Sequence, residues 1–323
     1  MPTAIRIQQT GGPEVLEVAD VEIGPPGPRE VVVDVAAAGV NYIDTYQRSG
    51  IYPMTLPYTP GLEGAGTVSA VGAEVTEVTM GDRVAWQGHP GGYAQQALVP
   101  AGIVVRVPDA VSAETAAATM LQGITAHYLL NSTHPVTEGE TVLVHAAAGG
   151  VGLLLVQLAK AKGARVIGTV STEEKERLAR EAGADEVIRY TEEDFAEAAR
   201  RLTGGEGVDV VYDGVGASTY EGSLKSLRRR GLLALFGAAS GPVAPIDPQR
   251  LNAGGSLFLT RPKTDDHVVT REELEWRTRE LFDAVAEGSL GIRIGARYPL
   301  AQARQAHEDL QGRRTTGKVL LLP

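Results

Sequence analysis

An α/β protein, in which a doubly wound parallel sheet accompanies an irregular β-barrel, is predicted by three features of this 323-residue sequence. Up to about residue 110, short β-rich runs are punctuated by glycine and proline, the spacing of a compact barrel. After about Glu114, short apolar strands alternate with helical patterns, which implies right-handed βαβ crossovers and a parallel sheet. At the first strand-to-helix junction of that array stands Ala147-Ala148-Gly149-Gly150-Val151-Gly152, a turn that shows almost no side chain.

The opening MPTAIRIQQTGG reads as a first strand and not as a signal peptide, and the only linker-like patch is IGPPGPRE, Ile23 to Glu30. EVVVDVAAAGV, GAGTVSAVG, GDRVAW, YAQQALVP and VVRVP follow as the barrel strands. The second region pairs strands with helices: TVLVHAA with VGLLLVQLAKAKG, RVIGTVS with EEKERLAREAG, EVIRY with DFAEAARRLTGG, and VDVVYDGV with YEGSLKSLRR. GLLALFG and SLFLT complete the sheet.

Composition narrows the function classes. A chain of this length with 43% hydrophobic residues can build a core in each of two domains. The net charge of −10 disfavours nucleic-acid binding, which draws its affinity from clustered Lys and Arg. The one basic cluster, Arg228-Arg229-Arg230, reads as the cap of a helix C-terminus. With no cysteine there is no disulfide framework, thiolate metal site or catalytic thiol. No apolar run reaches membrane-spanning length, so a soluble, cytoplasmic protein is expected.

In a doubly wound sheet the ligand sits at the carboxyl ends of the strands, and the first strand-to-helix turn is the usual phosphate cradle. Here Gly149 and Gly150 would let backbone N–H groups approach a pyrophosphate, Gly152 would let the helix pack on the strand, and Ala147 stands where the fingerprint has its first glycine. A tight strand-to-helix turn is the plainer reading, but the turn's place at the head of the βαβ array points to dinucleotide binding. Where NAD-specific sites put an Asp or Glu for the ribose, this chain has Gly168-Thr169-Val170-Ser171-Thr172, with Lys175 a helical turn on. The Ser171 hydroxyl and the Lys175 ammonium suit a 2′-phosphate, hence NADPH, while Glu173 and Glu174 are explained as partners of a helix dipole. A solvated helix residue is the alternative reading of Lys175. His89, His127 and His145 have no metal-like spacing.

The run Gly139-Glu140, Leu143, Ala147 to Gly152, Gln157 and Lys160 resembles the quinone oxidoreductase and zeta-crystallin branch of the medium-chain dehydrogenase/reductase superfamily. GGPEVLEV, GVNYIDTYQRSGIY, GTVSTEEK, VYDGVG, LTRP and RTTGKVLLLP extend the likeness along the whole chain. The resemblance implies a GroES-like barrel domain from residues 1–124 and 266–323, into which a Rossmann domain of residues 125–265 is inserted. The nicotinamide would lie in the cleft between them. It further implies cofactor contacts at Asn41, Thr125, Val151, Tyr190, Gly214, Val215, Gly216, Phe236, Gly237, Arg261 and Lys318, beside Gly149, Gly150, Gly152, Ser171 and Lys175. Arg189, where relatives often have a smaller amide, would strengthen phosphate binding, and Gly214 replaces a frequent serine.

In zinc-dependent relatives a Cys takes the place of Asn41 and a His the place of Leu62, so the resemblance implies a metal-free enzyme. A quinone needs no Lewis acid, and Asn41, Tyr46 and Tyr52 are the expected positioning and oxyanion-stabilising groups, although each tyrosine can equally be a packing residue. The leading expectation is an NADPH-dependent quinone reductase, homodimeric through the last strand of the cofactor domain near Ser256 to Thr260. The alternatives are a reductase of activated alkenes, enals or enones, and a non-catalytic role as a structural crystallin or RNA-binding protein.

Overall fold

The computed structural model describes every residue from Met1 to Pro323. The chain forms two compact units, Met1–Ile124 with Val268–Pro323, and Thr125–His267.

In the first unit β1 (Thr3–Arg6) and β2 (Glu17–Asp20) pair antiparallel. The central strand β3 (Glu30–Val40) leads into helix α1 (Tyr42–Ser49), followed by β4 (Glu63–Val71), β5 (Arg83–Gln87), β6 (Gln96–Pro100) and the short β7 (Val105–Arg106). β3 explains how this unit builds both a core and a site. Val31, Val33 and Val35 point into a core that holds Trp86 and Tyr93, as the two-residue period of a strand requires. A register shift against β4 between Val35 and Ala37 then changes the phase, so that Ala38 and Val40 face the core and Gly39 faces away from it. Helix α2 (Ala113–Tyr128) ends the N-terminal segment.

The second unit contains β8 (Thr141–Val144), α3 (Gly150–Ala161), β9 (Arg165–Val170), α4 (Glu173–Glu181), β10 (Glu186–Arg189), α5 (Phe195–Leu202), β11 (Val208–Asp213), α6 (Tyr220–Ser226), β12 (Leu227–Leu235), α7 (Gln249–Ala253) and β13 (Phe258–Thr260). All six strands are parallel, in the order β10-β9-β8-β11-β12-β13. The strands read as continuous apolar runs because helices cover both faces. β8 and β11 adjoin while their successors run outward in opposite directions, so the turn after β8 stands at the topological switch point.

The arginine cluster is placed differently from the sequence reading. Helix α6 stops at Ser226, and Arg228, Arg229 and Arg230 lie in β12. Pairing of Leu227 with Val208 starts the strand there, and Arg228 Nε reaches Asp209 at 2.5 Å, so strand pairing outcompetes continuation of the helix.

From Val268 the chain contributes to the first unit again through α8 (Arg271–Ala286), β14 (Ile294–Pro299), α9 (Ala303–Gln311) and β15 (Lys318–Leu322). β15 pairs antiparallel with β3, which gives a sheet ordered β14-β15-β3-β4-β5-β7 with β6 also on β3. No helix is long and apolar enough to cross a membrane.

Candidate active site

In the second unit the residues expected to hold a dinucleotide follow the carboxyl ends of successive strands. After β8, Ala146 takes a left-handed conformation with φ of 50°, and Gly149 N donates to its carbonyl at 2.8 Å. The tight turn therefore rests on Ala146, one residue before the alanine that replaces the fingerprint's first glycine. A Cβ on Gly152 would lie 2.2 Å from Ala146 O and 2.9 Å from Ala147 Cα, both backbone atoms, so helix and strand meet there only because the residue is glycine. Gly149 is the N-cap of α3 and supplies no side-chain cap. The first-turn N–H groups of Gly150, Val151 and Gly152 precede the first intrahelical donor, Leu153 N, and suit an anion.

After β9, Thr172 caps α4, its Oγ1 accepting from Lys175 N at 3.3 Å, which fixes Lys175 in the first helical turn. Thr191 Oγ1 donates to Ser171 O at 3.1 Å, and Tyr190 N donates to Val170 O at 3.1 Å. Ser171, Lys175 and Tyr190 are thereby gathered at the adjoining ends of β9 and β10. Arg189 is committed to two carboxylates, Glu176 at 3.2 Å and Glu192 at 2.7 Å.

Beneath the glycine turn lies a buried polar network that the sequence did not disclose. Asp213, at the end of β11, accepts from Val215 N at 2.8 Å, Gly216 N at 3.0 Å, Thr219 Oγ1 and Ser223 Oγ. His145 Nε2 lies 3.0 Å from Ser223 Oγ and its Nδ1 lies 2.8 Å from Thr169 Oγ1. Because the serine proton goes to Asp213, His145 carries its own on Nε2 and accepts from Thr169, and burial lowers its pKa, keeping the ring neutral. Serine, histidine and aspartate here tie together the ends of β8, β9 and β11, and the serine oxygen is directed at the carboxylate and buried, unlike a nucleophile. The Gly214–Gly216 loop meets the next one closely: a Cβ on Gly237 would lie 2.3 Å from Gly214 O. Phe236 and Gly237 follow β12 directly, Arg261 Nη1 donates to Leu235 O at 2.9 Å, and Thr125 Oγ1 lies 3.4 Å from Thr264 Oγ1.

In the first unit, Asn41 is the N-cap of α1 and 5% exposed. Its Nδ2 donates to Glu63 Oε1 at 2.5 Å, and its Oδ1 accepts from Lys318 Nζ at 2.9 Å and Gln122 Nε2 at 3.2 Å. Lys318 also donates to Glu63 Oε1, and Glu63 Oε2 accepts from Leu121 N at 2.7 Å. Tyr46 and Tyr52 meet edge to face with centroids 5.5 Å apart, and Tyr52 is 39% exposed, so the pair presents an aromatic surface.

Asn41 N donates to Asp44 Oδ2 at 2.8 Å, which links the site to a second buried network. Arg48 Nη1 lies 3.0 Å from His307 Nδ1, His307 Nε2 lies 3.0 Å from Tyr93 Oη, and Tyr93 donates to Asp44 Oδ2 at 2.8 Å. An arginine can only donate, so His307 carries its proton on Nε2 and every bond in the chain runs toward Asp44. Burial pushes Asp44 up to about 7 despite those bonds, and burial together with the Arg48 charge pushes His307 down to about 3.

Comparison with known proteins agrees with this layout. A model of the alcohol dehydrogenase GroES-like domain matches residues 27–109, and a zinc-binding dehydrogenase model matches residues 150–264. A quinone oxidoreductase of Pseudomonas aeruginosa is 48% identical over 100% of both chains. The Escherichia coli quinone oxidoreductase, solved in complex with NADPH, is 45% identical with a TM-score of 0.98, covering 99% of this chain and 100% of its own. The chain belongs to the quinone oxidoreductase branch of the medium-chain dehydrogenase/reductase superfamily. A 2-haloacrylate reductase of Burkholderia sp. is 44% identical over 100% of this chain and 99% of its own.

The zinc of the matching family model does not fit these residues. A zinc site requires three or four converging N, S or O ligands. No group of three or more His, Asp or Glu is placed to hold a metal. At Asn41 the carboxylate that a cation would need, Glu63, is already neutralised by the Lys318 ammonium.

Proposed function

We propose that this protein reduces quinones with NADPH. The observation that carries the reading is the convergence, at the switch point of a parallel sheet, of a cradle only glycine can form with a hydroxyl and an ammonium at the end of the neighbouring strand. The pyrophosphate is assigned to the N–H groups of Gly150, Val151 and Gly152, and the 2′-phosphate to Ser171 and Lys175, with Tyr190 beside them. Thr125, the Gly214–Gly216 loop, Phe236, Gly237 and Arg261 line the rest of the same sheet edge. Quinone oxidoreductases at 48% and 45% identity support the acceptor class, and the NADPH complex supports the cofactor.

NADPH, when bound, supplies a hydride. The chain's own part is to orient and to exclude water. The Asn41 carboxamide is held on three sides and donates its remaining N–H to a carbonyl oxygen, stabilising charge as it develops there. Tyr46 and Tyr52 offer an apolar face to a planar acceptor, with hydroxyls at its rim. In this reading the Thr125–His267 unit holds the cofactor and the first unit addresses the acceptor. The protein works in the cytoplasm as a homodimer joined through β13, an edge strand whose Phe258 is 60% exposed.

Oxidation of NADPH, followed by absorbance with a benzoquinone, an enone and a 2-haloacrylate as competing acceptors, tests the proposal. The quinone is expected to give the highest kcat/KM. Preference for the haloacrylate or the enone would move the protein to the alkene-reducing side of the family, which the Burkholderia relative makes the second reading. Absence of turnover with all three, despite NADPH binding, would overturn both.

A further inference from the structure

We propose that the buried Lys318–Glu63 pair is a positioning device: an internal ammonium–carboxylate lock that sets which way the Asn41 carboxamide faces. The inference rests on the reductase reading for its consequence in catalysis, and on geometry alone for the lock itself.

The two charged residues come from strands on either side of β3, Lys318 from β15 and Glu63 from β4. They meet across β3 because the residue between them is Gly39. A Cβ there would lie within 2.2 Å of Glu63 Oε1 and 2.6 Å of Lys318 Cε. The register shift in β3 turns this position away from the core, and the pairing of Val319 with Val40 brings Lys318 level with Asn41. Both side chains of the pair are almost fully buried, at 1% and 0% exposure.

A buried ion pair is a poor source of stability, since desolvation consumes most of the Coulombic gain. As an orienting device it is effective. Ammonium meets the amide oxygen and carboxylate meets the amide nitrogen, so a flipped Asn41 would set its NH2 against Lys318 and its oxygen against Glu63. With Gln122 as a third partner, three of the four hydrogen bonds the amide can make are used. One Nδ2 proton remains for a reactant. Zinc-dependent enzymes can polarise a carbonyl with the metal; here a fixed cation, the Lys318 ammonium, is one step removed and acts through Asn41.

The test combines kinetics with a readout that needs no turnover. Glu63→Gln with Lys318→Met removes both charges and strands neither. This double variant is expected to lower kcat for the quinone at least tenfold while changing the Kd for NADPH less than about threefold. In an Asn41→Ala background the same pair of changes should add less than twofold. Independent multiplicative losses, or a full kcat, would overturn the proposal. By NMR, the two Asn41 side-chain amide protons of the unaltered protein should be well separated and slow to exchange, as should the Lys318 ammonium protons, and the Asn41 separation should collapse in the double variant. Fast exchange in the unaltered protein would refute the lock even if every variant failed to fold. Slow exchange without quinone turnover would instead refute the reductase reading and leave the lock standing.

Discussion

Replacing Lys175 by Glu is the sharpest perturbation of cofactor choice. The Thr172 cap holds Lys175 in the first turn of α4, one helical turn from Ser171, and the guanidinium of Arg189 is already shared between Glu176 and Glu192. The 2′-phosphate therefore falls mainly to Lys175 and Ser171. A charge-assisted hydrogen bond of this kind contributes about 1.5–3 kcal/mol. At about 1.4 kcal/mol per decade, its loss together with the added repulsion lowers NADPH affinity on the order of tenfold to several hundredfold. NADH lacks the phosphate, so its Kd should change by less than about twofold, and the preference between cofactors should narrow or invert. Fluorescence titration of both cofactors at fixed ionic strength measures this, and the NADPH penalty should shrink in high salt, where exposed charges are screened. Equal losses for NADPH and NADH would refute the phosphate assignment. If Lys175→Glu alone has little effect, adding Arg189→Ala decides: no loss in the double variant would show the phosphate held elsewhere.

Four further outcomes are expected. Gly152→Ala sets a Cβ against backbone atoms of Ala146 and Ala147, which have no side chain to yield, so it should cost about 1–3 kcal/mol and abolish the NADPH-induced rise in Tm; an unaltered Tm and rise would contradict the cradle. Leu257 and Leu259 pack into the core of the second unit, so a charge there would unfold it, whereas exposed Phe258→Glu on β13 should yield monomers by sedimentation if that edge joins the dimer. Elemental analysis should find no stoichiometric zinc, and activity should survive chelators; one zinc per chain lost together with activity would overturn the donor-set argument. Asp44, raised from 3.8 to about 7, adds stability that is complete below about pH 4 and lost as pH rises to 7, while His307, lowered from 6.5 to about 3, adds stability present above pH 6.5 and lost as pH falls to 3. The two slopes oppose each other between about pH 4 and 6.5, so urea unfolding of Asp44→Asn should reveal a loss on acidification that the unaltered protein hides, and a flat profile in the variant would contradict the pairing.

The sheet of the second unit was legible because its signals are local: apolar runs, the helices between them and a glycine turn all lie within a few tens of residues. The parallel direction of those strands followed from the helices between them, whereas their order is visible only in the folded sheet. The misplaced arginines show the limit of that reasoning. A helical pattern in YEGSLKSLRR cannot reveal that Leu227 pairs with Val208 and Arg228 with Asp209, contacts that exist only once the sheet has formed.

The site divides along the same line. Gly149, Gly152, Ser171 and Lys175 all lie in the stretch from 149 to 175 and could be read as a unit. Glu63 could not, because its partners Asn41 and Lys318 lie 22 and 255 residues away and are joined through a strand between them. Nor could His307, which reaches Tyr93 across 214 residues and Asp44 only through that tyrosine. A local trace of the Glu63–Lys318 contact is Gly39, in a strand otherwise rich in β-branched residues and alanine. A glycine inside a strand marks a bulge or a close approach; in β3 the bulge lies a few residues earlier and the approach is that of two opposite charges, so the residue that locates the Asn41 lock is the one with no side chain.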